Sequence, residues 1–167
     1  MFTKGIIVAV FAYAAFTALE AFGLNSTDDI TLSTECGLAV TLVGTGQVRY
    51  AIGEQGLAVT PHSIRYLDTQ GKELRLQPAG KPQLHRMSSS RVLVRGAFPQ
   101  IDGTYTLTGS SIKENLIVPE SFRYDIPRGA SRVIFQWSCV ALGGASMKEH
   151  GSSVLVKGSD SGTLFAF

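Results

Sequence analysis

The spacing of hydrophobic residues changes abruptly near position 30. From Gly5 to Phe22 the chain reads GIIVAVFAYAAFTALEAF, a continuous apolar run whose only charge is Glu20. A run with no polar face reads as an α-helix for export, anchoring or assembly rather than as a surface helix of a globular domain. Its 18 residues would extend about 27 Å as a helix, slightly short of a bilayer core of about 30 Å. After Asn25-Ser26-Thr27-Asp28-Asp29 the period becomes two. Ile30, Leu32, Cys36, Leu38, Val40 and Leu42 fall on even positions, with Thr31, Ser33, Glu35 and Thr41 between them. Such alternation sets one face of a strand against a core.

Turn signals then recur at short intervals: Gly44-Thr45-Gly46, Gly53-Glu54-Gln55-Gly56, Asp68-Thr69-Gln70-Gly71, Pro78-Ala79-Gly80, Ile101-Asp102-Gly103 and Pro127-Arg128-Gly129. Between them lie predicted strands at 47–52, 63–67, 73–77, 91–98, 104–108, 121–126 and 131–142. The clearest local unit is the hairpin 64–67/73–76, where Gly71 supplies a positive φ. No later run has helical spacing, so the strands must pair antiparallel and bury their inner faces against one another. The expected fold is all-β: an antiparallel two-layer β-sandwich at 30–167, preceded by a single apolar N-terminal α-helix at 1–22 and a linker at 23–29.

The N-terminal segment supports two readings. Lys4, the apolar stretch Ile6 to Phe16 and Leu19-Glu20-Ala21 form an export signal cleaved after Ala21, with Leu19 where a small residue is preferred. A retained helix would present Ile6, Val10, Tyr13, Ala14 and Ala18 as an anchor or assembly face, its alanines allowing close helix packing. Asn25-Ser26-Thr27 matches the N-glycosylation acceptor pattern at Asn25.

Composition narrows the function classes. A chain of 167 residues fits one domain, and 15 Lys and Arg against 13 Asp and Glu give +2, no field strong enough to predict nucleic-acid binding. Charge is uneven, however: residues 62–95 hold seven Lys and Arg against Asp68 and Glu73. Arg65, Arg75, Arg91 and Arg95 on neighbouring strands would form a patch for an acidic glycan, an anionic lipid or an acidic subunit face. The same charges would also guard strand edges against uncontrolled pairing. Cys36 and Cys139 both fall on apolar strand phases, and in an exported domain they are expected to form a disulfide. Trp137, two residues before Cys139, reads as core.

Catalytic patterns are missing from the sequence. His62, His85 and His150 stand apart with no metal-ligand spacing, and the serine clusters lie in no nucleophile elbow. Neither cofactor nor metal is expected, and the chain reads as a non-enzyme. Its layout of a short basic leader, an apolar helix and a β-rich head resembles pilin-type filament subunits, with Val10 where type IV pilins carry Glu if Gly5 is the leader glycine. That layout implies an exported structural or interaction protein. It would be a cell-surface filament subunit or a membrane-anchored member of an envelope assembly, partnered by its own copies or by envelope subunits. The alternative is a secreted sandwich that recognises an acidic glycan or anionic surface.

Overall fold

The computed structural model describes residues 29–150 and 153–166. The expected N-terminal helix, the cleavage site and Asn25 lie outside the described residues. Within them the chain is predominantly antiparallel β-structure.

The first sheet contains β1 (Ile30–Ser33), β2 (Leu38–Leu42), β3 (Val48–Ile52), β4 (Gln55–Leu67) and β5 (Glu73–Pro78). The chain next builds a second sheet, β6 (Gln83–Ser88), β7 (Arg91–Phe98), β8 (Ile101–Thr108) and β9 (Ser111–Ile117), paired in sequence order. It returns through a 3-10 turn, Glu120–Tyr124, to β10 (Arg132–Leu142), which pairs with β4 and completes the first sheet. A third sheet follows, β11 (Ser146–His150), β12 (Ser153–Lys157) and β13 (Thr163–Ala166). The apolar C-terminal strand is thus paired within its own chain.

The thirteen-residue alternation at the start folds as a hairpin. Ile30 pairs with Leu42 and Leu32 with Val40, so the even phase continues on both sides of the turn at 34–37. Cys36 therefore lies in the turn and is exposed, which corrects its expected place on an inward strand face. At the 64–67/73–76 hairpin, sequence and structure agree. Asp68 Oδ1 accepts from the backbone N–H of Gln70 at 2.8 Å and of Lys72 at 2.9 Å, and Gly71 has φ 85°. Asp68→Ala is expected to cost about 1 kcal/mol by removing those acceptor bonds, seen as a lower urea midpoint with unchanged slope.

Two predicted boundaries are corrected. Ile101-Asp102-Gly103 begins β8 rather than forming a turn; the reversal is at Pro99-Gln100, where Gln100 takes φ 63°. The segment 121–126 is mostly 3-10 turn, not strand, because Pro119 precedes it and only Phe122 is buried. Strand β4 also runs further than its sequence implies. Trp137 pairs with Pro61 and Gln136 with Ser63, leaving His62 as the extra residue of a bulge. Pro61 has no N–H to give a ladder, and the bulge lets the His62 carbonyl accept from Ala79 N–H at 2.8 Å.

A common core joins the sheets. It includes Val40, Leu42, Ile64 and Phe135 of the first sheet, Val92, Phe98 and Ile101 of the second, and Val156 of the third. Phe98 packs edge-on against Trp137 at 5.2 Å between ring centroids and against Phe135 at 5.4 Å, so the aromatic side chains tie β7 to β10. Phe122 reaches the same cluster, 6.2 Å from Phe135. Trp137 is core, 8 % exposed.

Candidate functional site

The four arginines expected to form one patch are divided between two sheets. Arg65 on β4 is held by Glu73 at 2.7 Å. The Arg75 guanidinium on β5 lies 4.4 Å over the Tyr66 ring and donates to the Asp125 carbonyl at 2.6 Å. Arg65 thus braces the β4–β5 hairpin internally, and Arg75 ties it to the segment after the 3-10 turn. Arg91 and Arg95 lie on β7 in the second sheet, exposed and with no ion-pair partner among the described residues.

Strand register shows what Arg91 and Arg95 share their face with. On β7, Val92 and Val94 are buried, so Arg91, Leu93 and Arg95 point the other way. Across the sheet Arg91 pairs with Ser88 and Thr106, and Thr106 pairs with Lys113. Arg95 pairs with Gln83, and Leu93 with His85 and Thr104. Lys113 escaped the sequence reading because it lies on β9, outside the basic window. The signal available was the β9 alternation, in which Ile112 and Leu116 face inward and Lys113 outward.

That alternation also places Glu114 on the inward phase, an unusual position for a carboxylate. Tyr105 Oη of β8 donates to Glu114 Oε1 at 2.7 Å, and Tyr50 Oη of β3 donates to Oε2 at 3.0 Å. One carboxylate thus bridges two buried phenols from different sheets. Glu114 itself still presents solvent-exposed surface, but protein crowds its carboxylate. That crowding raises its pKa above the usual carboxylate value, while the two phenol hydrogen bonds oppose the rise. Burial, with the neighbouring carboxylate, pushes both tyrosines well above their ordinary range. Tyr105 and Glu114 are cross-strand partners in the β8–β9 hairpin, but Tyr50 is 64 residues from Glu114, so no local motif joins the three.

The cysteines are free thiols rather than the expected disulfide. Cys36 is exposed in the β1–β2 turn, hydrogen-bonded to Thr34 Oγ1 at 3.0 Å, and that bond, with one from the Leu38 backbone, lowers its pKa. Cys139 is buried on β10, where burial raises its pKa.

A cleft of about 530 Å³ opens between β1 and β6, lined by Asp29, Ile30 and Gly44 on one side and Pro82, Gln83, Leu84 and His85 on the other. On its wall Asp29 Oδ1 accepts from Gly44 N–H at 3.4 Å. Among the described residues no group of three or more His, Cys, Asp or Glu side chains is arranged to hold a metal ion. No described helix is long and apolar enough to cross a membrane. No family model, curated protein or solved structure matches this chain.

Proposed function

We propose that this protein is an exported, non-enzymatic subunit of a cell-surface assembly, either a filament or an envelope complex. Its apolar segment 5–22 serves as a retained anchor or assembly helix, and its β-rich part is a two-layer sandwich head. Copies of the chain associate through the free edge of β10. The observation that carries this reading is the character of that edge. β10 is an eleven-residue strand that, among the described residues, pairs with β4 on one side only, and it holds no charge or proline from Val133 to Leu142. The other outer strands of the sheets differ. β1 and β13 have four residues each, β5 carries Glu73, Arg75 and Pro78, and β6 carries His85 and Arg86. β9 carries Lys113 and Glu114, and β11 carries Lys148 and Glu149. Short length, charge and proline are the ordinary guards against edge pairing, and of these β10 has only Arg132, at its first residue.

A second copy is the fitting occupant, because antiparallel pairing of a strand with itself is two-fold symmetric and closes both edges at once. With no charge from Val133 to Leu142, such pairing over that stretch sets no like charges opposite each other. Helix packing through the N-terminal segment then supplies a second, independent contact, as a filament requires. Val140 on β10 is 41 % exposed, so Val140→Lys places a charge at the seam without disturbing the core. In the full-length protein this variant is expected to lower the particle mass seen by light scattering at least twofold, leaving only what helix packing holds together, and an unchanged mass would refute pairing through β10. Intact mass of the native protein tests the anchor separately. If the chain begins at Phe22, the secreted binding module replaces the anchored subunit.

A further inference from the structure

We propose that the outward face of the second sheet binds an acidic polysaccharide bearing carboxylate or sulfate groups. This goes beyond the assembly reading and does not depend on how the N-terminal segment is used. The face is defined by cross-strand pairs, since residues directly opposite on neighbouring strands share a side. One row is Ser88, Arg91, Thr106 and Lys113, spanning all four strands. The adjacent row is His85, Leu93, Thr104 and Asn115, and beyond it Arg95 pairs with Gln83.

Three features select the partner. First, Arg91, Arg95 and Lys113 are exposed and have no ion-pair partner among the described residues. The one carboxylate on the same face, Asp102, is engaged: its Oδ1 accepts from Gly96 N–H at 2.9 Å. The face is thus net positive on a chain of only +2. Secondly, the cations are spread rather than clustered. Strand geometry sets Arg91 and Arg95 about 13 Å apart along β7 and Lys113 two strands from Arg91, about 10 Å away. Charges at that spacing, interleaved with Ser88, Thr106, Asn115 and Gln83, suit a long polymer carrying anions at intervals and hydroxyl groups between them. Thirdly, these rows contain no Phe, Tyr or Trp, and His85 is their single ring. Single-stranded nucleic acids depend on stacking platforms that are not present here. A lipid bilayer is engaged by clusters of four to eight cations or by an inserted apolar face. This face has three cations, and the two well-exposed large apolar side chains of these strands, Met87 in the β6 bulge and Ile117 on β9, lie on opposite outer strands of the sheet rather than forming one insertable patch.

The test uses the full-length protein with immobilised heparin, soluble alginate and vesicles containing phosphatidylserine. Wild-type protein is expected to bind heparin and alginate with an affinity that falls steeply with salt. Combined Arg91→Gln, Arg95→Gln and Lys113→Gln should weaken polysaccharide binding by about a hundredfold and reduce the salt slope by about two to three, one per lost contact. The control Arg65→Gln with Arg75→Gln should bind within about twofold of wild type, since those side chains lie on the first sheet and are engaged by Glu73, Tyr66 and Asp125. Circular dichroism of each variant establishes folding, and the single Lys113→Gln, expected to lose about fivefold, covers the case in which the triple variant misfolds. The proposal is overturned if folded triple or single variants bind like wild type. It is overturned equally if the control loses as much as the triple variant, or if wild-type protein binds vesicles but neither polysaccharide.

Discussion

Phe98→Ala is expected to lower the unfolding free energy by about 3–5 kcal/mol, the range for deleting a fully buried aromatic ring. Phe98 is 0 % exposed at the end of β7, and its ring meets Phe135 and Trp137, both on β10. The ring therefore joins a strand of the second sheet to a strand of the first. Three losses add: the transfer free energy of the ring, the cavity left behind, and the edge-on contact with Trp137, worth about 0.5–1.5 kcal/mol beyond burial. Total stabilities of single domains are about 5–15 kcal/mol, so the variant should be partly unfolded at modest urea concentration. Trp137 is the only tryptophan, and its emission reports the site directly. The urea midpoint followed by Trp137 fluorescence and by circular dichroism should fall together. Phe98→Leu, which keeps most of the volume, should fall much less. A midpoint for Phe98→Ala close to wild type would mean that β7 does not pack on β10 as described.

The strand content was legible in the sequence because it follows from period two and from turn chemistry, both of which are local. The hairpin around Asp68 and Gly71 illustrates this: its acceptor and its positive-φ residue sit at the positions the turn requires. The misreadings have equally physical causes. A turn that preserves parity made the β1–β2 hairpin look like one strand, and this placed Cys36 on an inward face that it does not occupy. The alternation Phe122, Tyr124, Ile126 imitated a strand, but the chain there has no ladder partner and makes a 3-10 turn. Cross-sheet relations were out of reach, because period two gives the two faces of a strand but not which strands are neighbours. Arg65 and Arg75 therefore seemed equivalent to Arg91 and Arg95, although the first pair is engaged by Glu73, Tyr66 and Asp125. Lys113, which completes the outward basic row, lies on β9 outside the basic window of 62–95, and only the pairing of Thr106 with Lys113 brings it beside Arg91.

Glu114 provides the second large effect, and its sign follows from the direction of its pKa. Burial raises the value in the folded protein above the ordinary carboxylate value. The native state therefore holds the proton more tightly than the unfolded chain does, and protonation favours folding. The contribution is fully present below the ordinary carboxylate pKa and is lost as pH rises through the raised folded value. The linked slope is at most about 1.4 kcal/mol per pH unit, and smaller here because solvent reaches part of the residue. Other carboxylates have their own pH dependence, so the measurement is a difference between wild type and Glu114→Gln across the acid range. Gln cannot ionise but still offers an amide oxygen to a phenol. The difference in urea midpoint should shift in favour of Glu114→Gln as pH rises toward neutral. Glu114→Ala removes the acceptor for both Tyr50 and Tyr105, whose rings are buried between sheets. It is expected to cost about 1–3 kcal/mol at acid and neutral pH alike. If Glu114→Ala is as stable as Glu114→Gln at every pH, the carboxylate does not clasp the two sheets, and Tyr50 and Tyr105 are held by packing alone.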